Sequence, residues 1–389
     1  MNTNIELLFK KNIEELENAL KENANNFDSI SLLDHAEKLL EENIAVSKDV
    51  WHKYLDLTRS TLFLTNLNSS EERYKWAETA FKAIPISDYS LLIMINQRTE
   101  AHPDKALFST FEGSIKNDYS YKLVKEKIKK IAASFYKSVD LPKAAIYMEN
   151  SIEGALCDIA CLSYDVFVSP LHIHFGKENL EHIFNLINFN IVITDSIQRV
   201  ELLKKVREKL SRSFIIIYTG EYLPNEEEKD YIKNFHDFIS QINDKEADEI
   251  LFKRNKFQLD EISTVMFTSG STGAPKGVAF TNFNLITKRF ARGAALPKVG
   301  RNEVLLSYLP LFHTFGRYFE MMGMIYWGGT YVFAGKNDVD SLITLMNKVH
   351  PTGFVSIPLR WKQIYERAIN SVENVIDKSI KKEELIKLV

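Results

Sequence analysis

Ser263-Thr-Val-Met-Phe-Thr-Ser-Gly-Ser-Thr-Gly-Ala-Pro-Lys-Gly277 is the stretch on which the reading of this chain turns. A run of β-branched and apolar residues feeds a segment in which Gly270, Gly273 and Gly277 free the backbone. Thr268, Ser269, Ser271 and Thr272 supply hydroxyls, and Lys276 adds a cation behind Pro275. Polyphosphate oxygens only accept hydrogen bonds, so bunched N–H and hydroxyl donors are what such a ligand needs. Hydrogen bonds to a charged group contribute about 1.5–3 kcal/mol each, so roughly three or four of them outweigh the single lysine. The segment therefore predicts a phosphate-binding loop in which backbone and hydroxyls bind while Lys276 steers and neutralises. It is not a Walker A loop, because Lys276 precedes Gly277 where that pattern needs Gly-Lys-Ser/Thr, and it lacks the Rossmann glycine spacing. A flexible Ser/Gly linker is the plain alternative, and it leaves the strand leading in and the Pro-Lys-Gly exit unexplained.

On both sides of this loop the pattern alternates between strands and helices. Strand-like runs fall at Lys143–Met148, Val166–Ser169, Ile191–Thr194, Phe214–Tyr218, Thr264–Phe267, Val304–Tyr308, Tyr331–Phe333 and Gly353–Ile357. Helical patterns lie between most of them, at Asn179–Phe189, Val200–Leu210 and Val339–Val349 for example. This alternation predicts an α/β fold with a parallel sheet covered by helices, in which ligands sit at the carboxyl ends of strands. The polar stretch from Asn225 to Asn255 reads as surface helix and loop.

The first ninety residues differ. No glycine precedes Gly113 and no proline precedes Pro85, whereas eleven of the 15 glycines lie between Gly270 and Gly353. Ile5, Leu8, Phe9, Ile13, Leu16 and Leu20 share one helical face, and Leu32, Leu33, Ala36, Leu39 and Leu40 follow a cap at Asp28 or Ser29. A third helix is expected after Ser69, with Glu72 completing a capping box. Residues 1–90 thus read as a helical extension, either packed on the main body or presenting a face to a partner or membrane, and 91–389 as the main domain.

Composition sets the outer bounds. The 389 residues are 45% hydrophobic and 26% charged, with a net charge of −3, a balance that excludes disordered and collagenous classes and lacks the basic footprint of a nucleic-acid binder. The uncharged run Met321–Gly335 is shorter than the ~20 residues of a membrane span, and the N-terminus shows no signal-peptide pattern. Cys157 and Cys161 share a helical face with no histidine nearby, which reads as two buried thiols. A cytoplasmic enzyme is the expectation.

Thr268-Ser-Gly-Ser-Thr-Gly-Ala-Pro-Lys-Gly277 resembles, at every position, the AMP-binding signature of acyl-adenylate-forming enzymes such as acyl-CoA synthetases, luciferases and peptide-synthetase adenylation domains. Ala101–Ala106 with Tyr119–Leu123, Ala145–Ser151 and Leu309-Pro-Leu-Phe-His-Thr-Phe-Gly316 resemble further family segments in the same order, so the likeness covers roughly residues 95 to 370. Gly353–Tyr365 is similar to the long-chain fatty acyl-CoA synthetase branch. The resemblance implies the large N-terminal domain of that fold, with stacked sheets layered with helices, preceded here by the helical extension. It implies ATP-dependent activation of a fatty acid to acyl-adenylate, then transfer to coenzyme A, with Mg2+ on the phosphates. Thr268, Ser269, Gly270, Ser271, Thr272, Gly273 and Lys276 would hold the nucleotide, with Thr268, Lys276 and His313 catalytic. Phe312, His313, Phe315 and Gly316 would line the acyl site, with His313 beside the carboxylate, where easy charge exchange near neutral pH suits such a role. Arg317 reads either as pairing with an acid or phosphate or as a solvated surface side chain. Met321, Met322, Met324, Ile325 and Trp327 read either as acyl pocket or as ordinary core.

The chain departs from the family in lacking a Tyr-Gly-x-Thr-Glu motif, with its metal-holding glutamate, a Thr-Gly-Asp aspartate for ribose and a C-terminal lid lysine. No protein ligand for the metal is therefore identified, the lid domain is expected to be absent, and these residues alone are expected not to make acyl-CoA. An adenylate former for another carboxylic acid and a non-catalytic nucleotide- or acyl-binding pseudoenzyme are the competing readings. The partners implied are fatty acid, ATP and coenzyme A, with no nucleic acid, and peripheral membrane contact stays open because the substrate partitions into lipid.

Overall fold

A computed structural model describes residues 2–254, 257–268 and 273–373. The chain opens with helices α1 (Asn2–Glu22), α2 (Ser29–Glu41), α3 (Lys48–Thr58), α4 (Thr61–Asn66), α5 (Ser70–Ser87) and α6 (Leu91–Ala101). Their starts are written locally. Asp28 accepts from the amides of Ile30 and Ser31, and Ser69 from that of Glu72 at 3.1 Å. The carboxylate of Glu72 reaches Asn68 N–H at 2.6 Å, one residue before the cap, so the expected capping box is displaced.

The hairpin β1 (Ala106–Glu112) and β2 (Ile115–Ser120) leads into α7 (Tyr121–Ser138). The alternating region then runs through β3 (Lys143–Tyr147), α8 (Ile152–Ser163), β4 (Phe167–Pro170), α9 (Lys177–Leu186), β5 (Ile191–Thr194), α10 (Ile197–Leu210) and β6 (Ile215–Tyr218). Short β7 (Ile232–Asn234), α11 (Phe235–Ser240) and α12 (Asp244–Arg254) come after it. Next are β8 (Ile262–Thr268), β9 (Lys276–Thr281), α13 (Asn282–Ala295) and β10 (Val304–Ser307). A π-helix over Phe315–Met321 runs directly into α14 (Met322–Trp327). The chain continues through β11 (Thr330–Phe333), α15 (Val339–Val349), β12 (Gly353–Phe354) and α16 (Pro358–Glu373).

Two sheets result. One has the order β12-β10-β11-β1-β2 and the other β7-β6-β5-β3-β4-β8-β9. Pairings are parallel except β1 with β2 and β8 with β9. All eight expected strand runs are present, although the last ends at Phe354 and its remainder leads into α16. The expectation of helix and loop from Asn225 to Asn255 is corrected at Ile232–Asn234, which pairs with β6 as an edge strand. In the seven-stranded sheet the chain moves from β3 to one side and then returns to the other, so the order reverses around β3. A crevice at the carboxyl ends of strands near such a reversal is where ligands bind.

The helical extension is part of the same core as the sheets. Phe9, Trp51, Tyr54 and Trp76 are buried in one continuous apolar cluster with Phe290, Tyr326 and Trp327. The Trp76 and Phe290 rings lie 5.8 Å apart, joining α5 to α13. Met321, Met322, Met324, Ile325 and Trp327 are buried in that cluster, which decides for core over pocket lining. Cys157 and Cys161 are buried and free. Among the described residues no helix is long and apolar enough to cross a membrane.

Candidate active site

The signature segment is the turn of an antiparallel hairpin. Thr268, the last residue of β8, faces Lys276, the first of β9, and its hydroxyl donates to the Lys276 carbonyl at 3.4 Å. Ser269, Gly270, Ser271 and Thr272 lie outside the described residues. Gly273 has a φ of +93°, which a side chain would strain. Pro275 is buried and anchors the exit, while Lys276 is exposed. Because β8 runs parallel to β4, with Val168 opposite Thr264, the loop leaves the sheet on the edge where the segment after β4 also emerges.

That neighbouring segment carries Leu171-His-Ile-His-Phe175. The His172 ring is 4.4 Å from Phe312 and 5.8 Å from His313, edge to face with the latter. His313 follows β10 of the five-stranded sheet, in the turn before the π-helix, where its N–H bonds the Pro310 carbonyl at 3.0 Å. One side chain fixes the two sheets together at this point. Asn150, just past β3, donates to the Leu309 carbonyl at 2.8 Å and accepts from Leu311 N–H at 2.9 Å. Asn150, His172 and His174 do not stand out in the sequence reading. The alternating histidines directly after a strand are the available signal for two of them, whereas an asparagine bonded across more than a hundred residues leaves none.

Asn150, His172, His174, Tyr308, Phe312 and His313 line an open cavity of about 560 Å3 between the sheets. Burial holds His313 below the ordinary histidine value, and burial with the nearby His313 and His174 does the same for His172. Both rings therefore favour the neutral form at neutral pH, in which each offers one N–H donor and one acceptor.

Phe315 and Gly316 are placed differently from Phe312 and His313 and do not line this cavity. Phe315 is 59% exposed and sits 6.1 Å from Phe319. Gly316 is buried where a Cβ would lie 2.4 Å from the Pro310 carbonyl oxygen, so only glycine allows this turn. Arg317 is neither substrate-facing nor solvated. It is fully buried, bonded by Nε to Asp158 Oδ2 at 2.8 Å and by Nη1 to Thr264 Oγ1 at 2.8 Å, and it pairs with Asp158 through Nη2 as well.

A second groove, of about 660 Å3, runs between β9, α13 and the π-helix. Phe81, Phe280, Leu285, Arg289, Thr314 and Tyr318 are among its lining. Thr314 brings it next to His313, and Phe81 shows that the helical extension contributes a wall. Arg289 is buried, donates to the Tyr318 carbonyl, and burial beside Arg292 pushes its guanidinium down to about 9. Among the described residues no group of three or more His, Cys, Asp or Glu side chains is placed to hold a metal ion. The described residues by themselves do not make a Mg2+ site.

The model of the family described as AMP-binding enzyme matches residues 95–383. The chain belongs to that family. Its sequence is 27% identical over 256 residues to long-chain-fatty-acid–CoA ligase ACSBG2 of Gallus gallus, covering 64% of this chain and 33% of that protein. Among solved structures, the chain is similar to a putative long-chain-fatty-acid CoA ligase of Rhodopseudomonas palustris. That match has a TM-score of 0.60 at 15% identity, over 72% of this chain and 65% of the other. It is also similar to the anthranilate CoA ligase AuaEII in complex with anthranoyl-AMP, with a TM-score of 0.61 at 15% identity, over 70% of this chain and 50% of the other. At such identities the structural likeness establishes the adenylate-forming fold. The chain spans about a third of the length of the curated relatives it matches.

Proposed function

We propose that the chain carries the ATP- and acid-binding part of a fatty acid–CoA ligase reaction. The observation that carries this reading is the position of the Thr268–Lys276 hairpin turn, one strand from His172 and thus on the edge that holds Phe312 and His313. The triphosphate tail of ATP is received by Thr268, Ser269, Ser271, Thr272 and the backbone at Gly270 and Gly273, with Lys276 supplying charge. His313, held neutral by burial, donates an N–H to the acid's carboxylate and so fixes its direction. The alkyl chain runs from Thr314 into the groove walled by Phe81, Phe280 and Leu285. A carboxylate oxygen then attacks the α-phosphorus, and the bond to the β-phosphate oxygen breaks to release pyrophosphate. In the second step the thiol sulfur of coenzyme A, having lost its proton, attacks the acyl carbon and AMP leaves.

Sequence relatives of the long-chain type favour a fatty acid over an aryl acid, since the fold is common to both. Losing even one preorganised stabilising donor costs about 2.7–4 kcal/mol of barrier. Without the family's glutamate and lid lysine, the 389 residues alone are expected to bind ATP and not to turn over. Calorimetry with ATP tests the binding. Lys276→Ala and Thr268→Ala should each weaken it about tenfold, in line with ~1.5–3 kcal/mol per charged hydrogen bond, and unchanged affinity in both would remove the site assignment. Acyl-CoA formation by the purified chain from palmitate, ATP and coenzyme A would refute the expected inactivity.

A further inference from the structure

Another cavity, sharing no lining residue with the one beside His313, lies where the helical extension meets the body. It has a volume of about 200 Å3, and its walls include Asp56, Arg59, Arg98, His102, Arg301 and Trp327. These come from α3 and the turn after it, from α6 and its end, from the segment before β10 and from the end of α14. Three arginines and one carboxylate share these walls. Asp56 already pairs with both Arg98 and Arg59, the latter at 3.1 Å. The Arg59 Nη1 donates to the Trp327 carbonyl at 3.4 Å. Arg301 has no side-chain partner among the described residues.

The cations are also held close. A Cβ placed on Gly328 would meet Arg98 Cδ at 3.5 Å and Arg301 Cβ at 3.7 Å, so both arginine stems flank the same point. Lys105 adds a further positive charge nearby, donating to the Arg301 and Gly328 carbonyls. Arg98 is 1% exposed, and its Nε has no hydrogen-bond partner among the described residues; neither has the buried Nε1 of Trp327. Buried charges are normally paired and buried donors satisfied. Around one shared aspartate the three arginines, with Lys105 beside them, leave positive charge in excess, and a bound anion with several acceptor oxygens offsets it.

We propose that this cavity is a binding site for a small phosphate-type oxyanion, clamped by Arg59, Arg98 and Arg301 between the extension and the body. Size supports that class. A volume of about 200 Å3 is well above the ~10–15 Å3 one water needs and below the ~300 Å3 where organic-ligand clefts begin. Inorganic phosphate and pyrophosphate fit, whereas a whole nucleotide does not, although a terminal phosphate of a larger molecule has the same chemistry. Arginine's planar fork suits bidentate phosphate contacts. His102 is consistent with an anion-hungry site, because burial and then Arg301, Lys105 and Arg59 disfavour its proton, with Asp56 alone opposing them.

The test is titration of the full chain with inorganic phosphate, pyrophosphate and coenzyme A at constant ionic strength, read by calorimetry and thermal unfolding. Arg301→Gln is the informative variant, since Arg301 is exposed and unpaired and its loss should leave the fold intact. Lys276→Ala is the control for anions landing on the hairpin turn. The expected result is saturable binding of at least one of the free ions, with affinity reduced tenfold or more in Arg301→Gln and unchanged in Lys276→Ala. Saturable binding of coenzyme A alone, weakened by Arg301→Gln and not by Lys276→Ala, would assign the site to a phosphate carried on a larger molecule. Binding weakened by Lys276→Ala but not by Arg301→Gln, or no saturable binding at all, would overturn the proposal, and neither result depends on the chain activating an acid.

Discussion

Arg317 and Glu320 are where single residues decide most. The Arg317–Asp158 pair is fully desolvated, so removing one partner leaves a buried charge uncompensated, at a cost of about 3–5 kcal/mol. Asp158→Asn is therefore expected to lower the urea midpoint sharply. The double variant Asp158→Leu with Arg317→Met should recover much of the loss, because replacing both charges by apolar volume is often near neutral. Glu320 is also fully buried, with one oxygen bonded to the Ser307 hydroxyl and the other unpartnered among the described residues. Burial pushes its carboxyl up to about 8. The folded state then keeps a proton that the unfolded chain releases near pH ~4.3, so stability falls as pH rises from there through about 8. Glu320→Gln should flatten that fall by a few kcal/mol, read from denaturant midpoints at about pH 5 and pH 8. Neither role is legible in sequence. A charged residue directly after a recognised motif invites a substrate role, and only the fold reveals that the partner of Arg317 is Asp158 on α8.

At the scale of elements, legibility tracks periodicity. Strands with continuous apolar runs, such as Ile191–Thr194, are legible to the residue, because both faces are covered and each position is buried. The hairpin Ala106–Ser120 and strand Lys276–Thr281 are not, because their solvent faces carry polar or small residues and the pattern dissolves. The phosphate loop is legible as chemistry without being legible as a hairpin turn, since its hydroxyl and glycine content is the same whichever strand pairs with β8. The contact between α5 and α13 is invisible in sequence, yet it carries much of the extension's attachment. Trp76 is fully buried there, with its indole N–H bonded to Thr58 at 2.9 Å. Trp76→Ala should destabilise by about 3–5 kcal/mol through the cavity it leaves, measurable by chemical denaturation.

For the whole molecule, the shared core implies that extension and body unfold together. A chain beginning at residue 91 would uncover Phe290, Tyr326 and Trp327, which the extension now buries. It is expected to bind a hydrophobic dye and to aggregate on size-exclusion chromatography, whereas the full chain should melt in one transition. Two separate transitions, or a soluble shortened chain, would show instead that the helices are an appendage. The two ends of the signature turn also differ in how firmly they are moored. Thr268 ends a strand flanked on both sides, while Lys276 begins β9, the outermost strand of its sheet. Backbone deuterium uptake should thus begin along β9 and reach β8 late. Of the two ends, the lysine's is therefore expected to give way first when an anion arrives, with the threonine's side as the more fixed post.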